Sequence, residues 1–412
     1  MGHVELPPFD VLQRVLTQAT ERLARELAAP TEAPPEWSDF EWAVARAVAT
    51  LHGISGLLAN RLRWRGPAEW RGFLDDQLEH SCAREASIRD LLARLHGVTR
   101  ARGIAAVALK GSALLELGLY RMGERPMGDI DLLVAPEDPG SIEEAMHATG
   151  FEHAFSVERH VVFRQAAIPG RRGRDFGEDA SNPIQIEVHT RIAEPLPVNT
   201  VDITDQLWPE MPTAGINPYR GSVALMRHLL LHAAGNMRAH ALRFLQLQDV
   251  ALLAGRFDSA AWRSLIAPEA TGEPPWWMLP PLTATANYFT GAVPPTVLEN
   301  LRRDCPASLQ RTARIAELDL VSWSNLRVHA FPGISWARSG REALRFMRSR
   351  VWPRPEARKL LRHSVETAPA LRRISWYELP HVMRILRWIV GRPLRVQTAN
   401  AVYEALHGGT RS

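Results

Sequence analysis

The chain has 412 residues, 46% of them hydrophobic and 23% charged, with two cysteines and a formal net charge of +4. That length exceeds an ordinary single domain, and the composition excludes a mostly disordered chain. No apolar run reaches the ~18–20 residues of a membrane span, the first ten residues carry no apolar signal core, and two cysteines make no disulfide framework, so the expected compartment is the cytosol.

The basic residues are arginines with two exceptions, Lys110 and Lys359. Each lysine is therefore a candidate for chemistry that arginine does not do. Charge is also uneven: residues 338–395 hold 15 basic against 4 acidic side chains. A basic C-terminal stretch on an acidic body points to an anionic partner.

Taken in chain order, residues 11–27, 40–62 and 70–95 place apolar side chains three and four apart, which predicts helices. The proline-rich residues 28–35 separate the first two. At Gly103 the pattern changes. Residues 104–109 (IAAVAL) read as a buried strand, 113–119 as a helix, and 129–134 (DIDLLV) as a second strand. A helix over 139–149 stops at Gly150. Residues 160–165 and 184–189 (IQIEVH) read as further strands, with a glycine- and charge-rich loop over 171–182 between them. After the proline-rich residues 194–218 the pattern is helical again, most clearly over 219–234 and 239–255. The expected fold is α+β: a helical region over 1–100, a small mixed-sheet core over 101–210, and a helical region with a basic tail over 211–412.

The chemistry concentrates in LKGSALLELGLYRMGERPMGDIDLLV, residues 109–134. Strand alternation puts Asp129 and Asp131 on one face and Ile130 and Leu132 on the other. Two carboxylates about 7 Å apart on one face repel each other unless a cation lies between them. A divalent metal meets that need, while a chance D-x-D is the plain alternative. Gly111 and Ser112 lie where a strand turns into a helix, so backbone N–H groups can face a phosphate there; the plain alternative, compatible with that role, is that Ser112 is only an N-cap. Lys110 precedes the turn and can meet a triphosphate. In residues 184–189, Glu187 and His189 share a face. If that strand lies beside 129–134, Glu187 joins the two aspartates. Three carboxylates holding Mg²⁺, or Mn²⁺ in its place, suit in-line nucleotidyl transfer.

This arrangement resembles the DNA polymerase β-like nucleotidyltransferase superfamily. More narrowly, it looks like the uncharacterised bacterial nucleotidyltransferases. It is also similar to AbiEii-type toxin nucleotidyltransferases in its L-K-G start and in an arginine shortly before D-x-D. The resemblance covers mainly residues 103–191. The third-acid segment of that family reads aspartate, apolar, histidine; IEVHT matches it at Glu187 and His189, with glutamate in place of aspartate. The resemblance implies an NTP donor, a metal at Asp129, Asp131 and Glu187, and phosphates held at Gly111 and Ser112.

Further candidates have two readings each. Arg121 and Arg125 either bind triphosphate or are loop charges. His189 either orients Glu187 or touches substrate, or it is a packed structural histidine. His228 and His232 are four apart, as zinc ligands can be, but no third ligand is evident. His232, Arg243 and Asp249 either face the cleft or form a helix-packing polar network. Trp276 and Trp277 read as packing. The basic tail reads as solvated helix faces, a nucleic-acid contact or, through residues 379–390, a membrane-surface contact. The expected function is transfer of NMP from an NTP to an unidentified acceptor. The alternatives are a toxin-like enzyme acting on tRNA or another RNA, and a non-catalytic nucleotide-binding scaffold.

Overall fold

The computed structural model describes residues 6–135, 139–157, 160–165, 176–268, 273–315, 317–353, 380–391 and 393–407. Part of the loop expected over 171–182 and the middle of the basic tail, 354–379, lie outside them.

Four helices lead: α1 (Phe9–Ala28), α2 (Asp39–His52), α3 (Ser55–Arg61) and α4 (Ala68–Ala101). A capping box between Ser38 and Glu41 starts α2, and Gly53 ends it in the left-handed region, φ 66°. At 34 residues, α4 is about 50 Å long. The α+β core follows as β1 (Ala105–Ala108), α5 (Gly111–Glu116), β2 (Asp129–Val134), α6 (Pro139–Ala148), β3 (Phe151–Val157), β4 (His160–Gln165) and β5 (Gln185–His189). Then come β6 (Ala193–Pro195), β7 (Thr200–Asp202), α7 (Thr204–Leu207) and β8 (Gly215–Asn217). The remainder is helical: α8 (Ser222–Arg238), α9 (Phe244–Ala254), α10 (Ser259–Ile266), α11 (Leu279–Tyr288), α12 (Pro295–Asp304), α13 (Ala307–Ile315), α14 (Leu318–Val321), α15 (Gly340–Val351), α16 (His381–Val390) and α17 (Val396–His407).

Six strands form one mixed sheet in the order β3-β4-β5-β2-β1-β8. Strands β2 and β5 are parallel, as are β1 and β8, and the other pairs are antiparallel. The edge strand β8 lies beyond the 101–210 stretch in which the sheet was expected.

Alternation along the strands sorts the two faces. Ala106, Ala108, Ile130, Leu132, Ile186 and Val188 point to one side and bury against Ile88, Leu91 and Leu95 of α4 and Ile142 and Met146 of α6. On the other side, Val107, Leu109 and Leu133 enter a larger core built by helices from both ends of the chain. Helix α17 packs on α2, and α1 packs on α2 and α14. Asp129, Asp131, Glu187 and His189 therefore lie on the face that looks toward the C-terminal helices. Trp276 and Trp277 are buried in that larger core.

Candidate functional site

The parallel β2–β5 pairing sets Asp131 directly opposite Glu187, and Asp129 opposite Gln185. Asp131 is 6% exposed, whereas Asp129 opens to solvent at the head of β2. One oxygen of Asp131 accepts from Lys110 Nζ at 3.1 Å and from His189 Nε2 at 2.9 Å. His189 Nε2 also lies 3.6 Å from Glu187 Oε2. Ligand atoms of Asp131, Glu187 and His189 all fall within 4.8 Å of one another. Two carboxylates and an imidazole at that spacing are a fitting donor set for a divalent cation.

The electrostatics follow from burial and from these pairings. Burial would raise the Asp131 pKa, but Lys110 and His189 hold it well below the usual carboxylate range. Asp129 opens at the cleft mouth, where partial desolvation by the cleft walls, and then the neighbouring Asp131 charge, push its pKa up. Burial would lower the pKa of Lys110 and His189, but Asp131 holds both above their ordinary values.

Lys110 sits at φ 46° and ψ −112° on the turn between β1 and α5, a conformation that a residue with a side chain adopts only under constraint. Its N–H donates to the Tyr219 hydroxyl at 3.0 Å. That hydroxyl bonds His228 Nδ1 at 2.8 Å. Burial, then Lys110, depress the His228 pKa, so the neutral ring accepts from the hydroxyl. Neither Tyr219 nor this use of His228 was legible in the sequence, because the contact spans 109 residues and follows no local pattern.

Gly111 fits because Arg125 closes over it: a Cβ there would meet Arg125 Nη1 at 2.4 Å and Met127 Sδ at 3.1 Å. Arg125 is fixed from behind by Asp249 through two bonds of 2.9 Å, and Asp249 also accepts from the Tyr120 hydroxyl at 2.6 Å. Ser112 is buried, and its hydroxyl has no hydrogen-bond partner among the described residues. Arg243, which precedes α9, makes no ion pair among the described residues.

These residues line a cleft of about 300 Å³ that takes in Lys110, Gly111, Arg125, Asp129, Asp131 and Arg243. A second lobe of about 200 Å³ takes in Glu187, His189, His160 and Glu194. Lys110 and His232 border both. Burial, then Lys110, lower the His232 pKa to about 3; its Nε2 faces the Asn236 amide at 3.2 Å. Among the described residues no metal-competent group contains His228 or His232.

The sequence candidates thus divide. Lys110, Gly111, Arg125, Asp129, Asp131, Glu187, His189, His232, Arg243 and Asp249 come together. Ser112 is buried beside them. Arg121 lines a different pocket.

Over residues 38–271, more than half of the chain, the sequence matches the family model described as uncharacterised nucleotidyltransferase. No curated protein and no solved structure matches the chain.

Proposed function

This chain belongs to the uncharacterised nucleotidyltransferase family, and we propose on that premise that it transfers NMP from an NTP to an acceptor in a metal-dependent reaction that releases pyrophosphate. The observation that carries the metal-dependent reading is the side-by-side placement of Asp131, Glu187 and His189 on two parallel strands, with cationic Lys110, Arg125 and Arg243 around the adjoining cleft. The likeness of residues 103–191 to the polymerase β-like superfamily supports the same reading. Asp131 and Glu187, with Asp129 at the cleft mouth, would hold Mg²⁺ or Mn²⁺. When bound, that ion stabilises charge on the phosphoryl oxygens and lowers the pKa of the acceptor group.

The protein's own groups do the rest. Arg125, held rigid by Asp249, and Arg243, without an ion pair among the described residues, supply positive charge for the triphosphate. Gly111 keeps the backbone low under Arg125. Glu187 borders the second lobe, where it can take the acceptor's proton as the bond to the α-phosphorus forms and pyrophosphate leaves. Asp131→Asn should abolish transfer while the protein keeps its circular dichroism and melting transition. Full transfer by this variant would refute the assignment.

For the basic C-terminal stretch we infer a membrane surface bearing anionic lipid. Its described helix α16 exposes Val382, Met383, Leu386, Ile389 and Val390, while α15 exposes Arg341, Arg345 and Arg348 and buries its one acid, Glu342. Apolar and cationic side chains without exposed acids match a lipid interface better than nucleic acid, which offers aliphatic side chains little contact. Co-sedimentation with anionic vesicles at low salt, lost with neutral vesicles, is the expected result.

A further inference from the structure

The loop over residues 118–126 has a second role. Its Arg121, Tyr120 and Glu124 join Asn60, Arg61 and Arg63 around a separate basin of about 460 Å³. This basin and the cleft share no lining residue.

The charges in the basin do not balance. Glu124, its one acid, is already committed: it is 2% exposed, receives Arg61 Nη2 at 2.9 Å and accepts from the Arg121 N–H at 3.2 Å. Arg63 is paired to Glu32 at 3.0 Å, with both side chains well exposed, and such a pair yields readily to a competing anion. The Arg121 guanidinium is exposed and makes no ion pair among the described residues. Three guanidinium groups around one buried acid leave the basin net positive, and their flat forks match phosphate oxygens.

We propose that this basin is a second anion site, which takes a phosphate group other than the one undergoing transfer. The phosphate belongs either to free polyphosphate or to an RNA acceptor. The site is one residue from the cleft: Tyr120 lines the basin, and its hydroxyl bonds the same Asp249 that holds Arg125.

The test is calorimetric titration of tripolyphosphate into the metal-free full-length protein at low salt. A parallel arm measures fluorescence anisotropy of a labelled 5′-phosphorylated RNA oligonucleotide. The double variant Arg63→Gln/Arg121→Gln should weaken binding of the engaged probe by about tenfold or more, whereas Arg220→Gln, an exposed arginine that lines neither the basin nor the cleft, should not. Both substituted side chains are exposed, and an unchanged melting temperature checks the fold. Tripolyphosphate alone binding assigns the site to free polyphosphate; tighter, variant-sensitive RNA binding assigns it to an RNA acceptor. Equal binding by wild type and double variant, or no binding of either probe by wild type, overturns the proposal. Mn²⁺ binding that depends on Asp131, read by electron paramagnetic resonance, should be the same in the double variant. Its absence would count against the transfer reading and leave the anion site standing.

Discussion

Lys110 joins backbone strain to charge. A residue with a side chain held at φ 46°, ψ −112° costs about 1–3 kcal/mol. The cost persists because the turn is held at both ends, by Tyr219 on its N–H and by Asp131 on its Nζ. Tyr219→Phe removes the acceptor of that N–H and leaves His228 without its partner. The variant should lose about 1–3 kcal/mol in urea unfolding and lower kcat more than it raises KM for the nucleotide. Equal kcat in a destabilised protein would show that the bond serves folding alone. Gly111 makes a sharper test: a methyl group at 111 must displace Arg125, so Gly111→Ala should weaken nucleotide binding by about tenfold with little change in melting temperature. At this scale the sequence was informative. The scarcity of lysine singled out Lys110, and the strand-to-helix turn singled out Gly111. Of the groups that fix them, Asp249 was already a candidate, though its pairing with Arg125 was not legible, and Tyr219 comes from a distant segment with no motif to mark it.

Alternation in β2 and β5 was legible, because burial of Ile130, Leu132, Ile186 and Val188 forces the acids onto the opposite face. The register was not. Asp131 meets Glu187 only because two parallel strands, with β3 and β4 between them in sequence, settle against the same helices. Strand β8 was missed for a related reason: three residues, Gly215–Asn217, are too few to show a period. Leu132, fully buried between the sheet and α4, carries much of this alignment. Leu132→Ala should cost about 2–5 kcal/mol, read as a lowered urea midpoint with an unchanged slope. The loop that carries Arg125 is placed by close packing: a Cβ on Gly56 of α3 would lie 2.1 Å from the Gly123 carbonyl oxygen. This contact was invisible in sequence, since Gly56 looked like one more residue in a helix.

The whole molecule is tied together at His52, the last residue of α2. Its Nδ1 accepts from the Phe244 N–H at the start of α9, 2.9 Å away. Its Nε2 meets the Ser324 hydroxyl at 2.9 Å, and Ser324 bonds Thr20 of α1 at 2.6 Å. The helices before and after the sheet thus share one buried polar junction inside one apolar core. Burial, then Arg243, push the His52 pKa from 6.5 down to about 3. A depressed histidine pKa means that the unfolded chain binds the proton more readily. The stabilisation is therefore complete above pH ~6.5 and is lost as pH falls toward 3, by about 1.4 kcal/mol per pH unit for this one group. His52→Gln keeps an acceptor and a donor but does not titrate, so its urea midpoint should fall less steeply between pH 7 and 4.5 than that of the wild type. Parallel pH profiles would contradict this role for His52.

The central claim is that the carboxylates on β2 form a metal-dependent nucleotide site. Its most direct test is calorimetric titration of each of the four NTPs, with Mg²⁺, into the wild-type protein and into Asp129→Asn/Asp131→Asn. The account predicts that at least one NTP binds the wild type, that binding requires Mg²⁺, and that the double variant loses it. Nucleotide binding that survives both substitutions, or no binding by any NTP, would contradict it.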